Sequence, residues 1–415
     1  MTSRERVRKA LNHEEADRLP VNFGGSCETS IHVDAYCELI NYLGIDPGPP
    51  KVYDQFQMLP RIEGLMSFWF GTDVIELENL YTRLNIRNKD WKEWTTFRGN
   101  KVLMPGEFDP ITDPETKSIL ARDPSGKIVA EMPDNGFYFD WYGDMTDYSK
   151  DIVLMPPEEW KNSIALYGEE ELTFLQRHAK FMYENTVYSI HGAFSKGSLG
   201  GNTLWAGNTI TNWLSALILE PEYVKEVLEA TAERACQNLR LYLDAVGRYI
   251  DTILVSSYDY GIQRYGGLFS ADVFRELYKP SMTKINNFVH ENSNIKVFYH
   301  TCGSACHIMD DLIESGVDVL NPVQTSAEGM DPALLKENYG DKLTFCGGGS
   351  DTQLFLPYAT PEEVREHVKE RIRIFAPGGG FIFNTDTIIQ YGVPPQNIEA
   401  IVETVKEFGR YPISC

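Results

Sequence analysis

The feature that most constrains the fold of this chain is an alternation. Eight short, β-branched, apolar runs end in glycine or small polar residues, and longer segments of helical period separate them. The first is "LPVNFGG", with Val21 and Phe23 ahead of Gly24 and Gly25. There follow "TDVIELEN" (strand 73–79), "TVYSIHG" (187–191) and "DTILVSSYD" (252–256). The last four are "IKVFYHTCG", "VDVLNPVQ" (317–321), "LTFCGGG" (343–346) and "GFIFNTD" (381–384). Runs so uniformly apolar belong to strands buried on both faces, the mark of a parallel sheet. Eight such units predict an α/β fold closed as a single (β/α)8 TIM barrel. An open, doubly wound sheet is the alternative; no GxGxxG follows the first run, which weakens its dinucleotide-binding version.

The intervening segments carry helical signals. In "TPEEVREHVKERIRIF", Val364, Val368, Ile372 and Phe375 share one stripe, with Thr360 placed to cap before Pro361. Ile398, Ile401, Val405 and Phe408 do the same near the C-terminus, and Ser270 opens another helix. Residues 212–246 form one long helix or two joined ones. The pattern breaks between about residues 80 and 151, where aromatics ("KDWKEWTTF", "NGFYFDWYGD") mix with turn signals such as "DPSGK". This stretch predicts a β-rich insertion between the second and third strands of a barrel that otherwise spans residues 1–415. Its aromatic residues either pack the insertion's own core or line a substrate pocket.

Lys and Arg number 38 against 60 Asp and Glu, a net charge of −22 spread along the chain. Such a surface repels phosphate backbones and anionic lipids, so neither nucleic acid nor membrane is expected as a partner. The first twenty residues lack an apolar core segment, and no run approaches the roughly 20 apolar residues of a membrane span. A cytoplasmic protein is expected. The seven cysteines are sparse and odd in number, which does not describe a disulfide framework.

Barrel enzymes keep their chemistry at the C-terminal ends of the strands. Here those ends read Gly24-Gly25, Glu76, His191, Tyr258-Asp259, His300-Thr301-Cys302, Asn321 to Gln324, Cys346 and Asn384-Thr385-Asp386. His300 and Cys302, two residues apart as they leave a strand, can reach one ion, and imidazole with thiolate suits zinc. Cys346, two strands later and followed by three glycines, is the candidate third ligand. The bland reading makes both cysteines small residues fitted to a tight rim. Asp259, between Tyr258 and Tyr260, either handles a proton and orients substrate or caps its own loop.

Together these strand-end motifs resemble the uroporphyrinogen decarboxylase superfamily, which joins decarboxylases with cobalamin-dependent and related methyltransferases. The likeness runs from "RERVRKALNHEEADRLPVNFG" through "FYHTCGSACHIMDDLIESGVDVLNPVQ" to "PGGGFIFNTDTIIQYGVPPQNIEAI". It implies one (β/α)8 barrel. The methyltransferase branch looks closer: true decarboxylases carry an arginine-bearing "RQAGRY"-like motif after the first strand, whereas this chain has "FGGSCETSI". The zinc-dependent methyltransferases carry His-x-Cys after the fifth strand, matched by His300 and Cys302, and a later cysteine near the eighth. The eighth run here has none, which leaves Cys346, Asp386 or Gln324 as third ligand.

The resemblance implies methyl transfer between a corrinoid carried on a separate protein and either a small methylated substrate, such as a methoxylated aromatic, or a thiol acceptor. Zinc on His300, Cys302 and Cys346 would activate the thiol or the leaving group. Asp259 and Tyr258 would be catalytic, with Tyr260, His191, Gln324 and Asn384 lining the substrate. Expected partners are the corrinoid protein, the small molecule and, in a symmetric assembly, a second copy of the chain. The rival readings are a metal-free decarboxylase and a non-catalytic barrel that binds a corrinoid or tetrapyrrole.

Overall fold

The computed structural model describes residues 1–143, 151–197, 199, 206–256, 259–264 and 266–414. Seven of the eight expected runs form one parallel sheet in sequence order: Val74–Leu77, Ser189–Ala193, Thr252–Ser256, Lys296–His300, Val319–Asn321, Thr344–Cys346 and Phe381–Ile382. The eighth closes it. Val21 bridges Phe383 in parallel, Asn22 N–H donates to the Phe383 carbonyl at 2.9 Å, and Phe383 N–H donates to Pro20 at 2.8 Å. On the other edge Asp73 N–H donates to the Val21 carbonyl at 2.7 Å. Residues 20–22 therefore stitch the last strand to the second, and the sheet curls into the expected (β/α)8 barrel. Proline at position 20 fits there, because its missing N–H leaves no ladder donor unmade.

Inside the barrel Val74, Phe298, Val319, Cys346 and Ile382 pack on Val7, Ala10 and Leu11 of the N-terminal helix Ser3–Leu11, which plugs the end where the strands begin. Outside, one large apolar cluster joins the strands to the helical layer. Val364, Val368, Ile372 and Phe375 are buried as their stripe requires, and Thr360 caps their helix by accepting from Glu363 N–H. The 212–246 segment is two helices, Ile210–Leu219 and Pro221–Val246, because Pro221 removes the donor that would continue the first. Among the described residues no helix is long and apolar enough to cross a membrane.

The insertion is β-rich, as expected, and its strands pair antiparallel: a hairpin of Lys92–Thr95 with Lys101–Met104, then a four-stranded sheet between Ile111 and Trp141. Its aromatics fall into two groups. Phe108 and Phe139 fill a core shared with Val52, Phe56 and Met58 from the first half of the barrel. Phe137 and Tyr138 instead reach the barrel rim, where Phe137 stacks on Tyr391 at 4.8 Å and the Tyr138 hydroxyl bonds Gln390. Trp91 packs beside Tyr53, Leu59 and Ile388. The insertion is thus tied to loops on both sides of the barrel seam.

Candidate active site

Three of the anticipated rim residues come together. Asp259, His300 and Cys302 each offer a ligand atom, and these atoms lie within 4.8 Å of one another. Cys302 Sγ is 3.4 Å from His300 Nε2, which is 3.9 Å from Asp259 Oδ1. Two glycines make the approach possible. A Cβ on Gly303 would fall 2.5 Å from the Gly261 carbonyl carbon, and one on Gly261 would fall 2.6 Å from the Cys302 oxygen. Gly303 also holds φ +77°, where a side chain is strained. With the two loops packed backbone to backbone, Cys302 N–H donates to Asp259 Oδ1 at 2.7 Å, and Gly303 N–H donates to the Gln324 side chain.

The tautomer of His300 follows from its neighbour. Asn321 Nδ2 donates to the Cys346 carbonyl at 2.9 Å, which turns its amide oxygen toward His300 Nδ1 at 2.7 Å. A proton on Nδ1 leaves the Nε2 lone pair facing Cys302 and Asp259, the orientation a metal-binding histidine needs. Burial acts to lower the basicity of His300, yet negative charge on Cys302, Glu28 and Asp259 pushes its pKa up to about 10. Burial raises the Cys302 thiol, with His300 pulling the other way. The direction that stands is the rise of His300, to which Cys302 contributes most and Glu28 and Asp259 add. The cluster gathers a proton where a divalent cation would be at home.

Cys346 is not part of this group. Its side chain is fully buried among Phe298, Val319 and Ile382, its Sγ lies 3.8 Å from Asn22 Nδ2, and burial pushes its thiol up to about 12. Strand register aligns His300 with Asn321, and the next pair in line is Asn321 with Cys346. Barrel strands tilt, however, so equal register two strands apart is a different height, and Cys346 ends in the apolar layer beneath the rim. Asp386 stands apart too: its Oδ1 accepts from Thr352 N–H at 2.9 Å and Oγ1 at 3.0 Å, bracing the seventh and eighth loops.

The remaining sequence candidates divide. Asn384 Nδ2 donates to the carbonyls of Asn22 and Thr29, locking the barrel seam. Tyr260 is buried in an aromatic cluster with Phe269, Phe274 and Tyr278, facing the helical layer, and so does not wall a pocket. His191 does point into the barrel, with Nδ1 2.8 Å from Thr252 Oγ1, and burial lowers its pKa to about 4. Tyr258 lies outside the described residues.

Sequence reasoning missed Glu28. It sits in a short turn, Cys27–Thr29, after the first strand, and its charge bears on both His300 and His191. Burial opposes its ionisation, but the positive charge of His300 and a bond from Cys27 hold its pKa below the usual range. Glu76 was visible as a strand end only. Burial and the Glu28 charge raise it to about 8, and Tyr53 donates to its Oε2 at 2.9 Å. The one hint in the sequence was that Glu28 lies in "FGGSCETSI", the stretch after the first strand.

The fold and site define a TIM-barrel enzyme scaffold whose rim gathers nitrogen, sulfur and oxygen ligands. Residues 203–408 match the uroporphyrinogen decarboxylase (URO-D) family model. Among curated relatives, the uroporphyrinogen decarboxylase of Magnetococcus marinus is 28% identical over 187 residues, 42% of this chain and 50% of that one. That of Psychromonas ingrahamii is 25% identical over 193 residues, 46% and 50% of the two chains. The chain thus spans about half the length of the curated relatives it matches. A solved methyltransferase from Methanosarcina mazei superposes with a TM-score of 0.55 at 16% identity, over 98% of this chain and 99% of that one. That likeness is one of fold, and it extends through both halves of the barrel.

Proposed function

We propose that this chain is a metal-dependent methyltransferase that moves a methyl group between a small substrate, either a methylated donor or a thiol acceptor, and a corrinoid carried by a separate protein. The observation that carries the reading is the convergence of Asp259 Oδ1, His300 Nε2 and Cys302 Sγ on one point of the rim. Imidazole, thiolate and carboxylate together suit zinc, and three protein ligands leave a fourth position open for substrate. Zinc there would supply Lewis acidity, lowering the pKa of a bound thiol or drawing electron density from a methyl-bearing heteroatom.

The chain's own residues do the rest. Asn321 fixes the His300 ring, and Gly261 with Gly303 set the distance between Asp259 and Cys302. His300 and Cys302 each give up a proton when a cation arrives, so occupancy falls in acid. The rim also disfavours the decarboxylase alternative. A polycarboxylate substrate needs cationic groups, and the first-strand turn offers the carboxylate of Glu28.

The test is metal content after purification, for wild type, His300→Ala, Cys302→Ser, Asp259→Asn and Cys346→Ser. Expected is about one zinc per chain in the wild type, lost in His300→Ala and Cys302→Ser, weakened in Asp259→Asn and kept in Cys346→Ser. No metal in the wild type after zinc is supplied would overturn the reading and bring the metal-free decarboxylase forward.

A further inference from the structure

Next to the Asp259, His300 and Cys302 trio lies a second group of polar atoms that the chemistry above leaves unused. Glu28 is 7% exposed; its Oε1 accepts from Cys27 Sγ at 2.9 Å, while Oε2 is buried with no partner among the described residues. His191 is 1% exposed, and its Nε2 is likewise buried and unpartnered. Glu76 stands in register with His191 on the adjacent strand, its Oε2 engaged by Tyr53.

A buried acceptor left unmade destabilises a fold, and such groups persist where a ligand completes them. What completes Glu28 Oε2 must donate a hydrogen bond and tolerate negative charge. The nearby cation does not do so: the Arg83 guanidinium lies 3.5 Å from Asp54 Oδ2 and 4.0 Å from Cys27 Sγ, and its side chain is half exposed. A second metal ion is a poorer occupant than an organic cation, since among the described residues only the trio gathers three ligand atoms. An anionic group would meet Glu28 directly.

We propose that Glu28, with Glu76 and His191 beside it, forms the subsite for the untransferred part of the substrate, and that it selects a molecule bearing a protonated amine there. The proposal rests on the methyltransferase reading for the word substrate, but the subsite stands on its own atoms. An ammonium group donates to Glu28 Oε2, while Glu76, whose carboxyl burial and the Glu28 charge push up to about 8, stands beside it as a neutral neighbour. The methyl-bearing end of the molecule then faces the trio.

The experiment is a ligand-observed NMR titration with three probes of one shape: isopropylammonium, 2-propanol and isobutyrate. The proteins are wild type, Glu28→Gln and Glu76→Gln, each with its zinc content and melting temperature recorded. Expected is an isopropylammonium affinity about tenfold or more above that of 2-propanol, the worth of one charge-assisted hydrogen bond. Glu28→Gln should remove most of that preference and Glu76→Gln little of it, while zinc content holds in both. Equal affinities, a preference that survives Glu28→Gln, or tighter binding of isobutyrate would overturn the proposal. The two readings fail separately: zinc bound with no amine preference sinks the subsite alone, whereas amine preference in a protein that takes no zinc sinks only the methyl-transfer reading.

Discussion

The two ends of this barrel treat buried carboxylates in opposite ways. Where the strands begin, an aspartate precedes Val74, Thr252 and Val319, and each is paired. Asp73, fully buried, bonds Arg6 at 2.6 Å, Arg18 at 2.8 Å and Val21 N–H at 2.9 Å. Asp251 takes Arg8 at 2.7 Å and Ser189 at 2.8 Å; Asp318 takes His290, Lys296 and Val297 N–H. Where the strands end, Glu28 Oε2 and Asp386 Oδ2 have no partner among the described residues, and Glu76 has only a tyrosine hydroxyl. The first set holds the barrel together. The second set carries unmet hydrogen-bonding capacity, which in a barrel of this kind marks the face that meets ligands.

The hardest blow to the paired end should come from Asp73→Asn. The substitution removes the charge that Arg6 and Arg18 share in a buried site, though Arg6 keeps Asp17 and Arg18 is partly exposed, and a loss of about 3 kcal/mol is expected in a denaturant melt. Next, on the proposed zinc reading, removing the metal from the rim should cost about 2.7 kcal/mol relative to protein held at a hundredfold excess over Kd. His300→Ala should melt the same with and without zinc; a zinc-dependent shift surviving in that variant would break the assignment of the rim. A third, smaller effect is in pH. Glu76 is raised from 4.5 to about 8, so the native chain holds a proton that the unfolded chain releases, and stability falls as pH rises between those values. The slope from this group is at most about 1.4 kcal/mol per pH unit, and Glu76→Gln should flatten it. The smallest change should be Glu28→Gln, a loss well below that of Asp73→Asn, because among the described residues no cation hydrogen-bonds this carboxylate and only the His300 and His191 charges favour it from nearby. If it cost as much stability as Asp73→Asn, the contrast between the two ends would collapse.

Much of the barrel was legible because strands buried on both faces read as unbroken apolar runs, and all eight fell where such runs ended in polar residues. His300 and Cys302 were legible for the same reason, since i and i+2 leaving a strand share a face. Asp259 was seen as a rim carboxylate, but its place as the third ligand atom depends on Gly261 lying against Gly303, a contact between loops that no local pattern encodes. Cys346 misled because strand ends look equivalent in sequence, whereas strand tilt puts them at different heights. Glu28 was overlooked because a three-residue turn has no period, and its meaning comes from His300 and His191 on strands distant in the chain.

The seam of the barrel has a consequence for how the chain reaches its fold. Residues 20–22 meet their near neighbour, Asp73, early in the sequence, but their other edge waits for Phe383. During synthesis from the N-terminus the first strand can dock on the second through Asp73, Arg18 and Val21 as soon as these have emerged. The ring cannot shut until Phe383 has been made. Contacts of such long sequence separation form late and slowly, so the nascent chain carries an open sheet edge until then. That edge, rather than the finished surface, is where a chaperone would find this molecule and where misassembly would begin.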